Sequence, residues 1–479
     1  MKTAFVTLLA VTLLGTVRAQ QPTAEQEYEA FRNRSLQEYA SFRDRVNAEY
    51  AEFVRHPWKR VESRPALPLP KPDPPVAPHF RPDDRPAEPQ TVPFDTVTPP
   101  REPVVQPRPV EPIPDPVDPV GERMTFDLFG ATCSVRIDRG TVAPIEDTSE
   151  RSVAEAWKRL SGDRSRALLQ DCLRLRDSLH LCDWAYVQLC RSLSAALYGS
   201  ADTNDGVLLR AYLLSQSGYA MRLARSGNRL YLLLPPDVVV YGRKFLEING
   251  TRFYIFDSSF QGGGLRLCDF AFPGEKPFSL YIERLPALPD REVFCRVFDE
   301  SSLPETGVPF CPNQNLMRFF DTYPYCRWDV HALTPLSDKA RQALYPALRQ
   351  AIAGKSPAEA ANVLIHFVQR AFDYQTDQQQ FGYERPLFAD ETLNYPYSDC
   401  EDRSILFSVL IRELLGLDVV LINYPNHLAT AVCFDEEVTG DYLEIDRRRF
   451  IVCDPTYIGA DIGRTMPGMD NQTAEIIRL

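Results

Sequence analysis

Residues 396–404 read Pro-Tyr-Ser-Asp-Cys-Glu-Asp-Arg-Ser and lead into a largely apolar run from Ile405 to Leu415, closed by Gly416. Apolar residues on nearly every face of that run predict a buried central helix, with Asp399 as its N-cap and Gly416 as its C-terminal stop. Cys400 then stands at the mouth of the helix, where the positive end of the dipole favours a thiolate, the reactive form of cysteine. Working outward, Val419 to Ile422 reads as a strand, Tyr424, Pro425 and Asn426 as a turn, and His427 opens a second strand. His427, Ala429, Ala431 and Cys433 share one face of it, and the two alanines let that face lie close against a helix, which brings His427 to Cys400. A third strand, Phe450 to Asp454, paired antiparallel with the second, sets Asp454 beside His427. That register puts Cys433 opposite a residue near Arg448, too far from Cys453 for a disulfide.

Cysteine, histidine and aspartate in that order supply a nucleophile, a base and an orienting carboxylate. Imidazole takes the thiol proton, and a carboxylate on its other ring nitrogen fixes tautomer and orientation. Glu401 and Asp402 place negative charge beside the sulfur, which makes the partnership with His427 more necessary, and Arg403 is a partial screen. For the oxyanion, the Cys400 backbone N–H is one candidate donor, and Gln380 or Tyr374 a second.

Ser-Asp-Cys-Glu-Asp-Arg before a helix, Asn-His-Leu-Ala-Thr-Ala-Val on the next strand and Cys-Asp-Pro-Thr-Tyr on the one after resemble the three motifs of the transglutaminase-like superfamily, a circularly permuted relative of the papain fold. The resemblance covers about residues 340–479, including the amphipathic segment 357–372 that commonly precedes the nucleophile. It implies an α+β fold, with the cysteine helix packed on an antiparallel sheet. It also implies a Cys400, His427, Asp454 triad acting on amide or ester carbonyls through a thioester. Neither a cofactor nor a metal is called for, and no CxxC pair suggests one.

Residues 202–259 look like a second copy of residues 399–456. Thr203 aligns with Cys400, Arg229 with His427 and Asp257 with Asp454, at spacings of 26 and 28 residues against 27 and 27. Arginine cannot serve as a general base at neutral pH, so this copy is expected to be a degenerate domain, with an Arg229–Asp257 ion pair in the old site.

Upstream, Lys2, the apolar stretch Ala4 to Leu14 and the small-x-small pattern Val17-Arg18-Ala19 read as a signal peptide over residues 1–19. Residues 20–56 form a charged helix with an 11-residue repeat: Tyr28 and Phe31, Tyr39 and Phe42, Tyr50 and Phe53. Eleven residues make three turns, so these aromatics form one stripe that must dock on its own protein, self-associate or meet a partner. Between Pro57 and Pro119 stand 21 of the chain's 41 prolines, so residues 57–122 are expected to be an extended spacer. The degenerate domain then spans 123–290, connecting strands and loops 291–335, and the catalytic domain 336–479.

With 53 basic and 65 acidic residues among 479, the formal charge of −12 argues against a nucleic-acid partner. The only long apolar run, at the N-terminus, is too short to span a bilayer, so the mature chain should carry no integral membrane span. The expectation is a secreted enzyme, periplasmic or in the cell envelope, working as a peptidase or amidase on peptide or protein substrates. A noncatalytic envelope scaffold that binds peptides, or an amine-transferring cross-linker, stands as the alternative.

Overall fold

The computed structural model describes residues 23–70, 79–81, 90–91, 121–298, 307–470 and 474–479. The signal segment lies outside the described residues. The protein is α+β, with two six-stranded sheets at its centre, both antiparallel except for one edge pairing. No described helix is long and apolar enough to cross a membrane.

The N-terminal helix α1 spans Ala24–Arg55. Two short strands follow inside the proline-rich stretch, β1 (Lys59–Glu62) and β2 (Gln90–Thr91). The first module contributes β3 (Arg222–Ser226), β4 (Arg229–Leu234), β5 (Phe245–Ile248), β6 (Thr251–Ile255) and β7 (Gly264–Cys268). The second contributes β8 (Asp418–Tyr424), β9 (His427–Cys433), β10 (Tyr442–Ile445), β11 (Arg448–Cys453) and β12 (Glu475–Arg478). The first sheet runs β1-β7-β3-β4-β6-β5 and the second β12-β8-β9-β11-β10-β2. Without the two N-terminal strands, each module places its fifth strand beside its first, then its second, fourth and third. Each also lays a helix against its second strand: α2 (Asn204–Gln216) on β4 and α3 (Cys400–Leu410) on β9.

The helix ends follow their local chemistry. The Thr203 hydroxyl caps α2 by accepting the Gly206 N–H at 3.1 Å. Asp399 occupies the N-cap of α3 without a side-chain capping bond, because its carboxylate accepts the Asp377 N–H at 3.2 Å instead. Beyond Leu410 one wider turn, Ile411–Leu415, carries the chain to Gly416, whose φ of 68° is the left-handed conformation that glycine adopts without strain.

The proline-rich stretch is more than a spacer. β1 pairs with β7, and β2 pairs with β10 in parallel. Between them the Phe80 N–H donates to the Ile458 carbonyl at 2.9 Å, and its ring meets Tyr457 at 5.7 Å. Lys59–Glu62 and Gln90–Thr91 are proline-free intervals of that stretch, and edge positions tolerate the flanking prolines.

Of the eleven cysteines, Cys295 and Cys311 form a disulfide and nine are free. Cys433 and Cys453 do not bridge. The register differs by two residues from the one the sequence implied: Cys433 opposes Phe450, and Thr430 opposes Cys453. A shift of two leaves unchanged which residues of the two strands share a face.

Candidate active site

The site forms where β11 leaves β9. Pairing between them covers only Thr430 to Cys433 of β9, so the main-chain groups of Leu428 on that side have no strand partner. The start of α3 takes their place. The Leu428 N–H hydrogen-bonds the Cys400 thiol, and the Ser404 hydroxyl donates to the Leu428 carbonyl at 2.9 Å. Two side chains one turn apart therefore satisfy both backbone groups of one residue, which fixes the helix start against the strand.

The face assignment from sequence is corrected here. The side of β9 that meets α3 carries Leu428 and Val432, packed with Ile405, Leu406, Val419 and Leu421. Ala429 and Ala431 face the other way, into a separate apolar layer with Val420, Ile422, Phe450 and Val452. His427 belongs to this second face. Its Nε2 lies 2.7 Å from Asp454 Oδ2, and its ring stacks on Tyr424 with centroids 6.3 Å apart. Asp454 also accepts the Thr456 N–H at 2.9 Å, which holds the carboxylate in place.

His427 Nδ1 is buried and takes no hydrogen bond among the described residues. The Cys400 thiol instead donates to Glu401 Oε2 at 3.2 Å. Burial pushes that thiol well above its usual range, and the negative charges of Glu401 and Asp399 add to the effect. The resting sulfur is a neutral thiol, not the thiolate that the helix dipole alone would favour. Cys400 and His427 are 0% exposed and Asp454 2%, so a substrate reaches them only if the surrounding chain opens.

Around Cys400 the described residues gather an acidic cluster. The carboxylates of Asp377, Asp399 and Asp402 lie within 4.8 Å of one another, as do those of Asp377, Glu384 and Glu401. Oxygen sets of this kind are what a hard cation would use. Here burial, followed by the neighbouring carboxylates Asp399 and Asp402, raises Asp377, and burial raises Asp402, so both carboxyls favour the protonated form. Arg403 does not screen Cys400 directly. Its guanidinium donates to Ser398 Oγ at 3.0 Å and the Phe372 carbonyl at 2.8 Å, and lies over the Tyr374 ring at 5.6 Å. Tyr374 is thus placed beside Arg403, and Gln380 ends the short helix Asp377–Gln380. Sequence reasoning missed Trp328. Its indole is buried in the same small apolar cluster as Cys400 and Leu428, and its Nε1–H has no hydrogen-bond acceptor among the described residues.

The first module repeats this arrangement with different side chains. The Leu230 N–H donates to Asn204 Oδ1 at 2.9 Å, as the Leu428 N–H does to the Cys400 thiol. Asn204 therefore stands where Cys400 stands, and Thr203, which the sequence alignment had placed there, is the helix cap one residue earlier. Arg229 and Asp257 form the expected ion pair, Nη2 to Oδ2 at 2.9 Å. No protein-family model matches the chain, and no curated protein is similar to it.

Proposed function

We propose that the protein is a transglutaminase-like cysteine enzyme of papain-like fold that cleaves peptide or protein amides through a Cys400 thioester. One observation carries this reading: an imidazole held at Nε2 by a buried carboxylate, with Nδ1 unoccupied, on the residue next to the amide that binds the Cys400 thiol. A buried ring nitrogen without a partner is costly, and since His427 lies on the face of β9 away from α3, the proposed chemistry requires the start of β9 to turn so that Nδ1 meets the Cys400 thiol in place of Glu401.

In the proposed reaction Sγ attacks the amide carbon while its proton passes to His427 Nδ1, and Asp454 stabilises the imidazolium. The Trp328 indole N–H donates to the oxyanion. Collapse of the tetrahedral adduct breaks the C–N bond, the imidazolium protonates the departing amine, and water resolves the thioester. An amine in place of water would make the same enzyme a cross-linker. The first module, with Asn204 and Arg229 in place of nucleophile and base, is a noncatalytic partner domain, and the protein works outside the cytoplasm.

Trapping tests the reading. Incubation with candidate peptide amides followed by intact mass measurement should give an acyl adduct on Cys400 that hydroxylamine removes and that Cys400→Ala lacks. An unmodified Cys400 with every amide and activated ester tried would favour the scaffold, to which the fully buried thiol already lends weight.

A further inference from the structure

Beside the start of its helix, each module carries an equivalent row of residues across its sheet, and the two rows differ in charge. In the second module Leu428 stands opposite Asn423 of β8, and Asn423 opposite Glu475 of β12. The Asn423 side-chain amide donates to the Glu475 carboxylate at 3.2 Å, so that row satisfies itself. In the first module Leu230 stands opposite Arg225 of β3, Arg225 opposite Arg266 of β7, and Arg266 opposite Arg60 of β1. Directly opposed residues share a face, and adjacent strands lie about 4.8 Å apart, so three arginines rise side by side. Like charges so placed weaken strand pairing. The fold does not require them, because the positions of Arg225 and Arg266 hold an amide and a carboxylate in the other module.

Arg225 is compensated. It donates to Glu150 at 2.8 Å and to the Thr148 carbonyl, and its guanidinium lies over the Trp58 ring at 5.7 Å. Arg60, which is exposed, and Arg266, which is half-buried, hold no hydrogen bond or ion pair among the described residues. Both line a groove of about 580 Å³ together with Arg225, Glu62 and Glu150. Counter-charge is not scarce in a chain of 65 acidic and 53 basic residues, yet these two arginines are left without it.

We propose that this groove binds a tetrahedral oxyanion, free phosphate or a phosphate or sulfate monoester, between Arg60 and Arg266. A guanidinium offers two parallel N–H groups to two oxygens, so a carboxylate saturates one arginine, whereas a group with three or more free oxygens meets both. A dianion also cancels both charges and removes the repulsion across the β1–β7 pair. Glu62 lines the same groove and opposes the anion, which keeps the affinity modest. The site adjoins the start of α2: Asn204, which stands where Cys400 stands, donates to the Asn228 carbonyl at 3.0 Å in the turn that borders the groove. The first module thus recognises an anion at the edge of the position that holds the thiol in the second, whatever chemistry Cys400 performs.

Calorimetric titration of the full chain at constant ionic strength, with inorganic phosphate, glycerol 3-phosphate and acetate in turn, tests the site. Phosphate or glycerol 3-phosphate should bind saturably with one site per chain, the tighter of the two telling whether the free ion or the ester is preferred, and acetate should bind far more weakly. Arg60→Gln and Arg266→Gln should each weaken binding by about tenfold, the loss of one charge-assisted pair, and Glu62→Gln should tighten it. In chloride alone the two arginine variants should melt no lower than the wild type, since each relieves a like-charge contact, and phosphate should raise the melting temperature of the wild type only. No saturable heat with either phosphate probe up to about 10 mM overturns the proposal. Equal binding by the wild type and by Arg60→Gln with Arg266→Gln overturns it too, by placing the anion elsewhere, and acetate binding as tightly as phosphate overturns the class of anion.

Discussion

Ser404 donates its hydroxyl to the carbonyl of Leu428, the residue whose amide holds the Cys400 thiol. This bond lies in a fully buried setting, so Ser404→Ala leaves a carbonyl without a donor and should destabilise the second module by about 1–3 kcal/mol. Urea denaturation followed by tryptophan fluorescence measures it. Ser404→Thr, which retains the hydroxyl, should recover most of the loss.

Thiol titration addresses Cys400. Because burial, Glu401 and Asp399 all raise its pKa, iodoacetamide labelling should be slow at neutral pH and still climbing at alkaline pH. Glu401→Gln removes one negative charge and should speed labelling at fixed pH by about tenfold, the effect of one pKa unit. No change would mean that Glu401 does not control the sulfur.

Asp454→Asn tests the orienting carboxylate. If the proposed chemistry holds, turnover should fall by about 10²–10⁴, because His427 loses the partner that fixes its tautomer, while Cys400 labelling in the unfolded chain stays the same. Equal turnover in the two proteins would remove Asp454 from the mechanism.

Asn204 allows a reconstruction. In a chain carrying Cys400→Ala, Asn204→Cys alone should give no acyl adduct, since Arg229 cannot take a proton. Asn204→Cys with Arg229→His restores a nucleophile and a base beside Asp257, and an adduct is expected at position 204 only in that double change.

Two buried acids of the second module set a pH dependence. Burial raises Asp390 to about 6 and Glu391 to about 7. Between the unfolded values near 4 and these folded ones the native state holds protons that the unfolded chain has lost, so stability falls as pH rises through that window. Denaturant midpoints should drop between pH 5 and about pH 8, and Glu391→Gln should flatten the slope.

The helix around Cys400, its stop at Gly416 and the strand order beyond it were legible because apolar runs, turn residues and a lone glycine mark elements locally. The duplication was legible for the same reason, since both segments carry the same punctuation. The face of β9 was not. His427, Ala429 and Ala431 alternate as a half-buried strand would, but β9 is buried on both sides, so small residues could not reveal which side held the helix. Thr203 and Asn204 are neighbours of similar chemistry, and only their hydrogen bonds, Thr203 to the Gly206 amide and Asn204 to the Leu230 amide, tell them apart. The strands within the proline-rich stretch are placed by main-chain pairing, which proline-rich composition does not announce, and Trp328 announces itself only by an unpaired N–H.

The pairing of Gln90 with Leu443 joins the beginning of the chain to its end. During synthesis β2 emerges before either module, yet its partner strand lies near the end of the chain, so the edge of the second sheet closes only when translation is nearly complete. A second module expressed alone would therefore present β10 as a bare edge, open to pairing with any extended chain it meets.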